Sequence, residues 1–201
     1  MLRDMSSLHS DPILQFQLWF SEAKKIKSLQ YPHAMTVSTV GVDGVPDSRI
    51  LLLKEVDDRG FMFFTNKDSQ KGLQLAKHPF AALLFFWEPL GYQVRIQGRV
   101  EEVSDAESDA YFATRPRLSQ IGSWASEQSR LLPDRAIFEQ KAESFEVQFS
   151  GQDIPRPSYW GGYRVIPQKM EFWIERPFRW HDRFEFTRTD NASWSVRRLY
   201  P

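Results

Sequence analysis

Residues 81–103 read AALLFFWEPLGYQVRIQGRVEEV, and this stretch decides the fold class. Its second half alternates: Val94, Ile96, Gly98 and Val100 take one side, Gln93, Arg95, Gln97 and Arg99 the other. Successive side chains of a strand point to opposite faces, so a period of two marks a half-buried strand. The run 81–87 is apolar and aromatic, and Pro89, Leu90 and Gly91 supply a turn between the two. The stretch therefore predicts two strands, over 81–87 and 93–103, joined as a hairpin.

Working outward, the same period recurs on both sides. Towards the N-terminus, residues 34–42 are rich in β-branched side chains, and Asp43-Gly44 is a hairpin turn signal. Residues 49–56 read as the return strand, 57–60 as a turn and 61–65 as a third strand. Residues 67–77 read as a short helix, ended by His78-Pro79. Before the sheet, Ile13, Phe16, Phe20, Ala23 and Ile26 recur at helical spacing over 11–30, with Asp11 as N-cap and Pro12 at the first helical position. Residues 1–10 read as a flexible, polar segment, not as a secretion signal. Towards the C-terminus, Ser104 and Glu107 form a capping box that opens a helix running to Arg115, where Pro116 stops it. Residues 134–149 predict a further helix, 151–158 a proline-rich loop, and 163–174, 184–188 and 193–199 the remaining strands. Strands in meander order with helices between them predict a mainly β chain: an antiparallel barrel with peripheral helices.

Composition narrows the function classes. The chain has 201 residues, which suits one domain over 11–201 behind its short leading segment. It has no cysteine, which removes disulfides, thiolate metal sites and a cysteine nucleophile, and fits a cytoplasmic setting. Basic and acidic residues balance at 26 each, unlike the basic excess of a nucleic-acid binder. No apolar run approaches the length of a membrane span. No glycine-rich strand-to-helix turn of the dinucleotide kind is present. His9, His33, His78 and His181 are scattered without metal-ligand spacing. The 16 Phe and 7 Trp fit a filled core or a bound planar cofactor.

Four local clusters carry potential chemistry. Arg49 and Lys54 bracket the apolar run Ile50, Leu51, Leu52 and Leu53, and could serve two anions or simply end a strand. Five residues apart, they face opposite sides unless a bulge intervenes. Phe64 to Lys71 is a strand-to-helix junction, whose free N–H groups suit a phosphate. On local evidence an ordinary helix capped by Thr65 or Asp68 is the preferred reading. Tyr111 and Arg115 lie four apart on one helix face, with Ser119 just beyond the Pro116 break. They could converge on an anion, or Arg115 could pair with Glu107 or Asp109 at the surface. Arg179, His181 and Arg183 share a face if they lie in a strand, a row of like charge that is costly without an anionic partner.

Taken in order, these segments resemble the pyridoxamine 5′-phosphate oxidase family from Asp11-Pro12 to Pro201. The resemblance rests on the ordered set Arg-Ile-Leu-Leu-Leu-Lys (49–54), Phe-Phe-Thr-Asn (63–66), Ser-Gln-Lys (69–71), Arg-Pro-Arg-Leu-Ser-Gln-Ile-Gly (115–122), Gln-Ser (128–129), Trp-Gly-Gly (160–162), Glu-Phe-Trp (171–173) and His-Asp-Arg (181–183). It implies an FMN-binding split barrel, a homodimer with two FMN sites at the subunit interface. By position, FMN would be held by Arg49 to Lys54, Phe64, Thr65, Gln70 and Lys71. Gln93, Gln128, Ser129, Trp173 and Arg183 would complete the cofactor set, drawn from both subunits. Lys54, Tyr111, Arg115 and Ser119 would hold the substrate phosphate. Arg179, Trp180 and His181 would lie over the substrate ring, with Arg179 and His181 as the catalytic pair. The implied reaction converts pyridoxamine or pyridoxine 5′-phosphate to pyridoxal 5′-phosphate, with O2 as acceptor and H2O2 released, as in vitamin B6 synthesis and salvage. Leu51 to Leu53 would form an apolar wall beside the flavin.

The chain departs from the family twice. Gln70 stands where the family usually has arginine, and residues 1–11 lack the family's Arg-Glu-Tyr motif, so the resemblance does not extend to a substrate lid there. Two other readings remain. One is an FMN oxidase of the same barrel acting on another ring, as in phenazine-pathway relatives. The other is a non-catalytic flavin- or haem-binding barrel, which would not need Tyr111, Arg115, Ser119, Arg179 and His181.

Overall fold

The structure, a computed structural model, describes residues 8–189 and 193–201. Its sheet is built from β1 (Ala34–Val40), β2 (Pro46–Leu52), β3 (Glu55–Asp57), β4 (Gly60–Asn66), β5 (Phe80–Trp87), β6 (Tyr92–Glu102), β7 (Trp160–Ile174), β8 (Asp182–Arg188) and β9 (Trp194–Leu199). Neighbours run β2-β1-β5-β6-β7-β4-β3, with β8 and β9 added beyond β7. Every pairing is antiparallel.

The long strand β7 splits this sheet. On one side β6 follows it for its whole length, from Tyr92↔Ile174 to Glu102↔Tyr163. On the other side its first half pairs with β4 and its second half with β8. The sheet curls where the register of β6 and β7 slips at Gln97/Gly98. A Cβ on Gly98 would lie 2.0 Å from the Ile166 carbonyl oxygen, so only glycine permits this approach. The result is the antiparallel split barrel that the alternation of 93–103 predicts.

Aromatic side chains fill the curl. Phe16, Trp19, Phe61, Phe63, Phe85, Phe172, Phe184 and Phe186 are buried. Phe16 meets Phe61 and Phe85 edge-on, at 4.8 and 4.9 Å between ring centres. Such pairs add about 0.5–1.5 kcal/mol beyond the area they bury. Phe16 comes from α1 (Pro12–Lys24), which closes the barrel's open side. Asp11 caps α1, accepting from the Ile13 N–H at 2.8 Å.

Four more helices are α2 (Gln70–Lys77), α3 (Asp105–Ala113), α4 (Arg117–Ala125) and α5 (Arg135–Gln148). The capping box Ser104–Glu107 opens α3 as predicted. Below α3–α5 lies a second apolar cluster of Phe112, Ile121, Phe149, Ile154 and Trp160.

Several expectations are corrected. The helix predicted over 11–30 ends at Lys24, because the N–H groups of Lys25, Ile26 and Leu29 turn to carbonyls three residues back. The flexible segment expected over 1–10 falls mostly on residues 1–7, outside those described. His9 is tied down, its backbone N–H donating to Gln15 Oε1 at 2.8 Å. The single return strand over 49–56 is two strands, broken at Leu53-Lys54, where Leu53 N–H bonds His33 and Lys54 N–H bonds Met62. Helix α2 starts at Gln70 rather than 67 because Asn66 to Ser69 form a turn, with Ser69 Oγ donating to the Asn66 carbonyl at 2.6 Å. Its cap is Ser69, not Thr65 or Asp68. Pro116 stops α3 but also begins α4, a helix that the sequence did not announce.

Candidate functional site

Helix α2 and strand β2 build the first part of the site. Arg49 shares its face of β2 with Asp47, two residues earlier, and both lean towards α2. The Arg49 guanidinium donates to Asp47, to the Val37 carbonyl at 3.2 Å, to Thr39 Oγ1 at 2.6 Å and to Gln74 Oε1 at 3.3 Å. Lys71, in the first turn of α2, is only 6% exposed. Its Nζ has one hydrogen-bond partner among the described residues, the Ser69 hydroxyl at 3.3 Å, and no carboxylate. Burial lowers its pKa below the ordinary lysine value, Arg49 pushes it lower, and Asp47 pulls the other way. A buried ammonium without an acid is costly, and at a helix start it marks a place for an anion. The predicted pair Arg49 and Lys71 is thus brought together. Gln70 sits beside them, exposed, at the first position of α2.

Strand β4 and helix α3 build the second part. Phe64 stacks on Tyr111 at 4.1 Å and 13°, and on Trp160 at 5.2 Å and 7°. Arg115 lies 4.8 Å above the Trp160 ring, and Lys54 Nζ lies 5.8 Å from the Tyr111 ring centre. Arg115 donates to Ser123 Oγ at 2.6 Å, and Ser123 Oγ donates to the Ser119 carbonyl at 3.0 Å. Burial lowers the Arg115 pKa from its usual value, and Tyr111 opposes that shift. Arg115 pairs with neither Glu107 nor Asp109, which bind Arg59 and Arg164, and Arg156, respectively. The surface-pair reading of Arg115 is therefore excluded. Lys54 lies beyond the end of β2, so the parity argument that put it opposite Arg49 does not apply to it. Nearby, Thr65 Oγ1 donates to Gln128 Oε1 at 3.2 Å, and Ser129 follows with φ 73°.

The apolar run between Arg49 and Lys54 is not one wall. Leu51 and Leu53 face the core, whereas Ile50 and Leu52 stand 62% and 36% exposed on the other face. Strand alternation separates them.

The third part lies across β6, β7 and β8. Gln93, Trp173 and Arg183 are direct cross-strand neighbours in one row. His181 packs on Trp173, 4.5 Å between ring centres. The Arg176 backbone N–H donates to His181 Nδ1 at 3.1 Å, so the neutral imidazole carries its proton on Nε2. The predicted strand face of Arg179, His181 and Arg183 does not exist. Residues Pro177–Arg179 form a 3-10 turn, and β8 starts only at Asp182. Phe178 and Arg179 both adopt positive φ, 59° and 62°, a strained conformation for large side chains. This turn aims Arg179 into solvent without a hydrogen bond or ion pair among the described residues. Phe178, Trp180 and His181 line a cavity of about 1000 Å³ that reaches Tyr200.

No hydrogen bond, ion pair or ring contact among the described residues links this third part to the first two. Between them the outer sheet face exposes Ile50, Leu52, Phe80 and Phe86. Sequence reading missed Trp160, Ser123, Asp47 and Glu171 as members of these clusters. Asp47 was legible, since two residues of separation put it on the Arg49 face. Ser123 was not, because its helix was not expected.

Known proteins resemble this chain in sequence and fold. Residues 22–149 match the model of the pyridoxamine 5′-phosphate oxidase family, and residues 160–201 match that of the pyridoxine 5′-phosphate oxidase C-terminal dimerisation region. The pyridoxine/pyridoxamine 5′-phosphate oxidase of Cupriavidus taiwanensis is 53% identical over 98% of this chain and 92% of its own length. The protein of the same name from Gloeothece citriformis is 49% identical over 95% of this chain and 89% of its own. Among solved structures, PhzG from Burkholderia lata, in complex with tetrahydrophenazine-1-carboxylic acid, superposes with a TM-score of 0.92. It is 30% identical and covers 100% of this chain and 98% of its own. A pyridoxamine 5′-phosphate oxidase-related, FMN binding protein from Nostoc punctiforme shares the fold at a TM-score of 0.77 and 16% identity, over 96% of this chain and all of its own. The ordered motifs, the split barrel and relatives matched over nearly the full chain agree: this chain belongs to the pyridoxamine 5′-phosphate oxidase family.

Proposed function

We propose that this protein is an FMN-dependent oxidase that converts pyridoxamine or pyridoxine 5′-phosphate to pyridoxal 5′-phosphate. The observation that carries this reading is a pair of separate cation sites in one chain. Lys71 and Arg49 form one, and Lys54 and Arg115 form the other. The cofactor and the substrate each bring a phosphate, and each site would take one.

FMN suits the first site: the buried ammonium of Lys71 lacks an acid, and the start of α2 offers free N–H groups. When bound, FMN supplies the redox chemistry, accepting a hydride from the substrate carbon and returning the electrons to O2 as H2O2. Thr65, joined to Gln128 by a hydrogen bond, would hold the same cofactor together with Gln128 and Ser129. The chain's own residues bind and orient. Lys54, Tyr111, Arg115 and Ser119 would hold the substrate phosphate, with Phe64 backing Tyr111. Arg179, without a hydrogen bond or ion pair among the described residues, would orient the ring and stabilise developing charge. His181 would donate from Nε2 rather than take a proton, because Nδ1 is occupied by the Arg176 N–H.

Gln93, Trp173 and Arg183 sit apart from the cation sites within one chain, so a second copy would complete each site. The exposed Ile50, Leu52 and Phe86 on the outer sheet would be covered in that homodimer. In this reading residues 11–201 act as one FMN-binding domain. Purified protein should be a yellow dimer whose released flavin chromatographs as FMN and not FAD. A colourless monomer that stays monomeric with added FMN would contradict the reading. Turnover of a ring lacking phosphate, such as the ligand of PhzG, in preference to pyridoxine 5′-phosphate would point to a different oxidase of this family.

Gln70 sharpens the account of the flavin site. Asp47 offsets Arg49, so two cations and one carboxylate leave a single net positive charge. A phosphate monoester carries about −1.5 to −2 at pH 7. Gln70→Arg is expected to tighten FMN binding by a few-fold to about tenfold, since a charged hydrogen bond exceeds a neutral one by about 1 kcal/mol. The gain should shrink with salt, because position 70 is exposed. Flavin fluorescence titrations of both proteins at two salt concentrations test this; unchanged or weaker binding would show that the site is not short of charge.

A further inference from the structure

Glu171, in the middle of β7, is 5% exposed and faces two arginines. Its Oε1 accepts from Arg183 Nε at 2.9 Å, and its Oε2 from Arg183 Nη2 at 3.2 Å and Arg95 Nη1 at 3.2 Å. The register pairs Arg95 with Glu171 and Trp173 with Arg183. Glu171 therefore reaches diagonally, two residues along its strand, to grip Arg183 side-on. The third nitrogen, Arg183 Nη1, donates to the Tyr200 carbonyl at 3.1 Å. A guanidinium has five N–H groups, and these contacts use three of them. Two remain, on a fork that cannot swing, in the row that also holds Trp173 and Gln93. The Glu171 hydrogen bond is the largest influence raising the Arg183 pKa.

We propose that Glu171 is a positioning residue for the flavin: it fixes Arg183 side-on and offsets part of its charge, so that Arg183 presents two aimed N–H groups with a reduced positive charge. This rests on the placement of Arg183 at FMN proposed above. Charge beside a flavin ring sets how readily the flavin is reduced. An Arg183 stripped of its carboxylate favours the reduced, more negative flavin. Glu171 therefore keeps the bound flavin harder to reduce than Arg183 alone would make it.

Glu171→Gln in the FMN-loaded protein tests this through the midpoint potential of the flavin. The expected result is a rise corresponding to about tenfold in the two-electron equilibrium constant, ~30 mV. FMN affinity should fall a few-fold as the fork loosens. Arg183→Gln is expected to move the potential the opposite way. A shift with Arg183→Gln but none with Glu171→Gln would overturn the role of Glu171 alone. No shift with either would contradict the placement of Arg183 at the flavin, and the proposal with it. Should Glu171→Gln fail to hold flavin, Glu171→Asp carries the test. It keeps the charge with a shorter reach, so FMN affinity should fall while the potential stays near that of the parent protein; parent-like affinity would overturn the positioning role.

Discussion

Lys71→Met is expected to stabilise the flavin-free protein and to weaken FMN binding by about tenfold to a hundredfold. The two effects have one cause. In the flavin-free protein Lys71 is a buried ammonium with one hydroxyl partner among the described residues, and its removal relieves about 1–3 kcal/mol of unmet polar burial. For a chain of this size that raises the melting temperature by roughly 2–10 °C. With FMN bound as proposed, the same ammonium would gain a phosphate partner, and losing a charged hydrogen bond costs about 1.5–3 kcal/mol of affinity. The pH dependence follows from the lowered pKa of Lys71 in the folded state. Between that lowered value and the ordinary lysine value, the unfolded chain binds more protons than the folded one. Stability of the flavin-free parent protein should therefore rise with pH across this window, relative to the methionine variant. Thermal melts with and without FMN read both effects. A methionine variant that is less stable without flavin, and binds FMN as the parent does, would make Lys71 a structural residue.

Arg115→Ala and Arg179→Ala should separate binding from turnover. Arg115 is packed on Trp160 and held by Ser123, a fixed fork on the Trp160–Phe64–Tyr111 ring stack that Lys54 also approaches. Its loss should raise the substrate KM about tenfold to a hundredfold with kcat changed little, since the phosphate contact is present before and during reaction. Arg179 makes no side-chain hydrogen bond or ion pair among the described residues and stands on a strained turn. Its loss should lower kcat by about 10²-fold or more with KM changed little, as expected for charge stabilised in the transition state. Steady-state kinetics with pyridoxine 5′-phosphate measure both. An Arg179 effect confined to KM would give it the same role as Arg115, and negligible effects from both would remove the site assignment.

The fold was legible wherever a period of two survived in the sequence. The alternation of 93–100 and the turn at Asp43-Gly44 gave the meander, and Asp11, Ser104 and Asp134 marked helix starts that the structure keeps. What sequence could not show was where continuity broke. Leu53-Lys54 looks like strand, but its backbone groups bond to His33 and Met62 and divide β2 from β3. Pro116 reads as a stop, yet its carbonyl accepts from Ser119 and Gln120 and starts α4. The stretch 179–183 carries alternating charge, but the positive-φ pair Phe178 and Arg179 holds residues 179–181 outside the sheet, and β8 begins only at Asp182.

The site divides in the same way. Spacing alone left Tyr111 with Arg115 open between an anion site and a surface pair; the family resemblance is what joined Arg49 with Lys71 and assigned one set to cofactor and the other to substrate. The partners that tune them come from distant strands: Trp160 beneath Arg115, and Glu171 across from Arg95. Local spacing cannot announce such neighbours, because the pairing of β7 with β4 places Trp160 and the register of β6 on β7 places Glu171.

Aerobic turnover with defined substrates tests the central claim most directly. Protein loaded with FMN, given pyridoxine or pyridoxamine 5′-phosphate, should form pyridoxal 5′-phosphate and hydrogen peroxide in equal amounts. Unphosphorylated pyridoxine should lose at least about a hundredfold in kcat/KM, because two cations, Lys54 and Arg115, lose their partner. Equal turnover of pyridoxine, or no pyridoxal 5′-phosphate from either phosphorylated substrate, would contradict the account.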